Sequence, residues 1–375
     1  MLETLLRIVS FPLGLALVLF TLASAVRTFV LPRSSRDPMT RFIFVKSRHI
    51  FDLLTRNSTT YEQRDRIMAL YAPVTLLCLP AVWLMIVAVG YTLMYWATGI
   101  FRLYDAFRLS GSSLLTLGFE KSELPVPLVL SFSEAAIGLI LAALLIAYLP
   151  TMYSAFSQRE SLVAMLEVRA GSPPFCVEMM LRYHRLHSLE SLHSVWEEWE
   201  RWFVYVDETH TSLAALTYFR SPQSDRSWVT AAGAVLDSAA MAASVIDIPR
   251  DSQCDLCIRA GYIALRHICD FFQISYNTTP TLDDGISVSR EEFDEAYDDL
   301  VKQGVPVVAD RDKAWRDFAG WRVNYDVPLL SLAALTMAPY APWSSDRSLT
   351  VTPRRNWVRR TVQVAAAADG NEPQP

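Results

Sequence analysis

The tetrapeptide Thr116-Leu117-Gly118-Phe119 has residue types suited to holding a cation stripped of its water. Threonine brings a hydroxyl and a carbonyl, an aliphatic side chain can pack away from the ion, and glycine lets successive carbonyls face a common axis. Glu120 follows directly and adds a carboxylate at one end of this row. Glu134 lies about two helical turns into an apolar stretch, where an ionisable group is costly and points to function by default. Two placements suit it: facing a cavity, or hydrogen-bonded to Ser112 or Ser113 behind a short helix. The second agrees better with its depth.

The elements that must position these residues are apolar helices. No Asp, Glu, Lys or Arg occurs from Ile8 through Val26, from Ile67 through Phe101, or from Ala135 through Gln158. About 20 apolar residues cross ~30 Å of hydrocarbon as a helix, the one open form that satisfies its own backbone. Residues 1–32 are therefore read as a first span, retained although Ala23-Ser24-Ala25 resembles a cleavage site. Residues 33–66 form a basic linker with eight basic and four acidic residues. By the positive-inside tendency that linker is cytosolic, which puts the N-terminus outside and everything after the third span inside the cell.

Between the second and third spans, Phe101–Glu120 combines a short amphipathic helix (Leu103, Phe107, Leu114, Leu115) with the Thr-Leu-Gly-Phe segment, then Pro125 and Pro127. The arrangement over residues 67–160 resembles the pore module of potassium channels, with its outer helix, re-entrant pore helix, filter and inner helix. The resemblance implies filter sites at Thr116, Leu117, Gly118 and Phe119 and a bending point at Gly138 of the inner helix. It also implies a homotetramer, since one loop cannot surround an axis. Where that family carries a second glycine, at positive φ, this chain has Glu120. A residue with Cβ adopts that conformation at a cost of about 1–2 kcal/mol, so the outer part of the segment is expected to differ. A ring of Glu120 carboxylates at the outer mouth is the corresponding expectation.

Residues 161–364 read as a mostly helical cytosolic domain and 365–375 as a disordered tail. Helices are expected over Glu178–Tyr205, Trp228–Ile246 and Cys254–Phe272, with a capping box at Ser289–Glu292. From Arg159 onward the chain has 21 basic and 30 acidic residues, which argues against a nucleic-acid partner. Cys254, Cys257, His267 and Cys269 have metal-ligand types, but on one continuous helix they cannot converge on a tetrahedral ion. The stretch near Asp284 lacks oxygen ligands at Pro280 and Leu282, against calcium. The basic run Arg354–Arg360 reads as solvated. The Asp207-Glu208-Thr209-His210 cluster is the nearest approach to acid–base chemistry, and no nucleophile–base pair or phosphate loop accompanies it.

The sequence thus predicts an all-α membrane protein of the pore-loop type, with one extra helix before the pore module and a helical domain after it. It is expected to be a non-enzymatic cation channel subunit in the cell membrane, without cofactor or bound metal beyond permeant monovalent cations, potassium foremost. The competing expectation is a non-conducting, membrane-anchored signalling or scaffold protein.

Overall fold

A computed structural model of the chain describes residues 2–29, 37–100, 102–282, 284–347, 350–352 and 360–363, with side chains for those from Leu6 to Arg347. The expected tail at 365–375 and the run from Arg354 to Arg359 lie outside the described residues, as do residues 33–36 of the basic linker. The chain divides into two units, Met1–Ser154 and Ala155–Pro375.

The first unit opens with α1 (Leu2–Phe29), α2 (Pro38–Thr55), α3 (Tyr61–Met68), α4 (Tyr71–Ala97) and α5 (Leu103–Leu114), and α6 (Pro125–Ala170) begins within it. Helical segments at Leu6–Phe29, Tyr61–Ala97 and Pro125–Ala170 are long and apolar enough to cross a membrane. Two glycines set how closely α1 and α4 approach: a Cβ on Gly14 would overlap the Gly90 carbonyl oxygen, and one on Gly90 would press on Gly14 and Val18. Small residues at such a crossing let backbones touch where no hydrophobic force drives helices together in lipid.

Within the basic linker, the described residues from Asp37 onward form α2 and most of α3. Asp37 caps α2 by accepting from Thr40 N–H at 2.8 Å and ties it to α1 by accepting from the Ser24 hydroxyl at 2.6 Å. Pro38 occupies the first helical turn, where its missing N–H costs nothing. Tyr71, at the start of α4, donates to the Phe44 carbonyl at 3.0 Å and packs edge-on against Phe44 and Phe51. Met39, Ile43 and Phe51 are buried, whereas Phe42, Ile50, Leu53 and Leu54 are exposed.

The second unit receives the end of α6 and adds α7 (Cys176–Arg185), α8 (Leu192–Ser212), α9 (Trp228–Ser244), α10 (Ser252–Phe272), α11 (Arg290–Lys302), α12 (Arg311–Arg322) and α13 (Asp326–Thr336). The single helix expected over Glu178–Tyr205 is broken, and His187 there takes a positive φ of 52°. The Ser289–Glu292 capping box forms as expected. A small sheet departs from the all-helical expectation: β1 (Ile274–Ser275) pairs in parallel with β3 (Arg360–Gln363), which pairs antiparallel with β2 (Thr350–Thr352).

α9 is rich in alanine and buried almost all round, as a helix at the centre of a bundle must be. Its one charge, Asp237, is matched by buried Arg322, which also donates to Asp326 at 2.7 Å and to the Trp343 carbonyl at 2.5 Å. Burial opposes the Arg322 charge, but Asp237 and Asp326 outweigh it and hold the guanidinium well above its ordinary pKa. Such a pair is costly to break from one side, because the survivor stays buried and uncompensated.

Candidate functional site

The site is the chain reversal after α5. This helix buries Ala106, Leu109, Ser110, Ser112 and Leu114, and its last carbonyls would be orphaned by the usual end effect. The following residues turn back to satisfy them. Leu115 N–H donates to the Gly111 carbonyl at 3.2 Å, Thr116 to Ser113 at 3.0 Å, Leu117 to Ser112 at 2.8 Å and Gly118 to Ser112 at 3.3 Å.

Positive φ falls on alternate residues, 54° at Thr116 and 71° at Gly118, with Leu117 between them outside that region. Alternation of hand turns amides to one side of a segment and carbonyls to the other. With the amides spent on α5, the Thr116, Leu117 and Gly118 carbonyls accept no hydrogen bond from the described residues. Leu117 and Phe119 are 61% and 60% exposed in the single chain, and a Cβ on Gly118 would meet nothing within 4 Å. Thr116 accepts a conformation that costs a Cβ-bearing residue about 1–2 kcal/mol.

Glu120 is not among the residues at positive φ. Its backbone is clasped by Ser112, whose hydroxyl accepts from Glu120 N–H at 3.0 Å and donates to the Glu120 carbonyl at 3.3 Å. Its carboxylate lies 2.8 Å from Arg108, which gives this charge a cationic partner.

Glu134 is fully buried. It sits behind α5, as its depth suggested, but its partners differ from the expected Ser112 and Ser113. Ser110 donates to Oε1 at 2.5 Å and Tyr95 of α4 donates to Oε2 at 2.8 Å. Of the two expected alternatives, Ser112 has its hydroxyl committed to the Glu120 backbone. Gly138, expected as a bending point, lies in unbroken helix. A Cβ there would overlap the Leu114 carbonyl oxygen, so this glycine serves close approach of α6 to the end of α5.

Arg108, Ser110 and Tyr95 were missed from sequence, and Ser112 was matched to Glu134, whereas it holds Glu120. The usable signal was spacing: Arg108 and Ser112 stand four apart on one face of α5.

The remaining sequence candidates do not assemble. Buried Cys254 donates to the Ala239 carbonyl at 3.1 Å, Cys257 and Cys269 lie in the core, and no group of three metal-binding side chains exists among the described residues. Asp207 meets His267 at 2.7 Å. His210 points elsewhere, to buried Arg159 at 3.2 Å; burial first and this cation second hold its pKa well below the ordinary imidazole value. No known protein family, characterised protein or solved structure matches this chain.

Proposed function

We propose that this chain is one subunit of a homotetrameric cation channel in the cell membrane. The observation carrying this reading is the row of free carbonyls at Thr116, Leu117 and Gly118, produced by alternating backbone hand while the matching amides cap α5. Carbonyl dipoles of this kind replace a cation's hydration shell when several copies surround one axis. In a single chain the row lies open beside exposed Leu117 and Phe119, an unfinished apolar surface that further copies would cover.

In this reading α4 is the outer helix, α5 the pore helix and α6 the inner helix. The N-terminus is outside, the second unit is cytosolic, and the permeant species are monovalent cations with potassium foremost. No cofactor, enzymatic step or nucleic acid enters. The test is reconstitution of purified chain in liposomes with cation flux and subunit counting. Monomeric protein, or protein without flux, overturns the proposal; the second outcome with an intact tetramer favours the non-conducting scaffold.

A further inference from the structure

We infer that the second unit binds a phosphate-like oxyanion in a cleft between the segment Thr217–Ser227 and the end of α13. The inference is independent of the channel reading. The cleft is lined by Thr217, Arg220, Ser221, Arg226, Ser227 and Trp228, with Thr336 and Pro339 on the far wall; its volume is about 20 Å³.

Its lining includes polar side-chain atoms without partners. Ten buried side-chain polar atoms have no hydrogen-bond partner among the described residues, and three of them, Thr217 Oγ1, Ser221 Oγ and Arg226 Nε, belong to residues that line this cleft, Arg226 also lining the neighbouring cavity beside Glu167. Thr217 and Ser221 are 1% and 7% exposed. Buried polar groups are normally satisfied, so each exception requires an explanation. Arg226 Nε can only donate and both hydroxyls can donate, so the group that satisfies all three at once is an acceptor with several oxygens.

The electrostatics agree. Arg226 and Arg220 are both cationic; Arg226 pairs with Glu167, and Arg220 donates to the Thr336 and Met337 carbonyls at 2.7 and 3.0 Å. Ser227 is the N-cap of the 17-residue α9, so the positive end of that helix dipole abuts the cleft. This volume holds one water-sized atom, which suits one oxygen of a tetrahedral oxyanion while the remainder stays at the mouth. Glu167 competes for the same guanidinium.

The same chemistry is presented by free phosphate, by a phosphorylated solute and by a lipid headgroup. The experiment is calorimetric titration of the full chain in detergent with sodium phosphate, against sodium chloride at equal ionic strength. A second arm compares its thermal stability in nanodiscs of phosphatidylcholine alone and with phosphatidic acid added. Ser221→Ala and Thr217→Val are clean variants, because neither hydroxyl oxygen has a partner to lose. Loss of a hydrogen bond to a charged ligand weakens binding about tenfold, so each is expected to reduce phosphate affinity by that factor with the folded state intact. Glu167→Gln removes the competitor and should preserve or tighten binding, whereas Arg226→Gln should abolish it. Saturable phosphate binding assigns a soluble ligand; protection only by phosphatidic acid, sensitive to Ser221→Ala, assigns a headgroup. No response in either arm, or a response indifferent to Ser221→Ala and Thr217→Val, means that the cleft holds ordered water alone and overturns the inference.

Discussion

Gly138 of α6 faces the Leu114 carbonyl oxygen at the end of α5 with no room for a methyl group between them. The close approach fixes the position from which the Leu115–Glu120 segment departs. Gly138→Ala must push the two helices apart or distort one. Overpacking costs about 1–3 kcal/mol, and we expect a lower melting temperature in detergent together with loss of cation flux. Unchanged flux would show that the segment does not depend on this contact.

Gly118→Ala is expected to abolish flux with little effect on folding. The position is at positive φ, where Cβ costs about 1–2 kcal/mol, yet nothing lies within 4 Å to clash with it. The damage should therefore fall on carbonyl direction. Flux assays beside thermal melts separate the two effects.

Arg108→Gln tests the Glu120 pair. The ion pair is partly exposed, so it contributes only about 0–1 kcal/mol to stability. In the proposed tetramer, removing the cation would expose four carboxylates, and block by external calcium should strengthen. Glu120→Gly should weaken that block and increase preference for potassium over sodium. Reversal potentials with and without calcium are the measurement; insensitivity of both variants would remove Glu120 from the conduction path.

Ser110→Ala and Tyr95→Phe each take one donor from buried Glu134. Leaving a buried acceptor unsatisfied costs about 1–3 kcal/mol. Because the two hydroxyls share one carboxylate, their effects should be non-additive in a double-mutant cycle. Additive melting shifts would argue that Glu134 rearranges.

His210 predicts a pH dependence in the second unit. Burial and Arg159 keep its imidazole neutral in the fold, while the unfolded chain takes up a proton near the ordinary value of about 6.5. The unfolded state then binds more protons as the solution is acidified, so this residue removes about 1.4 kcal/mol of stability per pH unit below ~6.5. Chemical denaturation of the full chain between pH 7 and pH 5 should show this slope, and His210→Gln should flatten it.

The apolar helices and the capping box were legible because charge-free length and local side-chain caps are one-dimensional signals. The Thr-Leu-Gly-Phe segment was legible by type and position. What escaped were relations across elements: Ser110 and Tyr95 reaching Glu134, Ser112 holding Glu120, and Gly14 against Gly90. Each joins residues that no periodicity links, and in each a neighbouring serine or glycine looked equally eligible. Likewise, net charge hid α2, because its apolar positions alternate with the basic ones that dominate a count.

The way α5 is finished also sets a polarity. Every amide from Leu115 to Gly118 is occupied by a carbonyl of α5, and that of Glu120 by the Ser112 hydroxyl. The Phe119 N–H between them has no acceptor among the described residues. Three carbonyls without donors, at Thr116, Leu117 and Gly118, against one free amide would favour a cation over a chloride ion in the proposed pore.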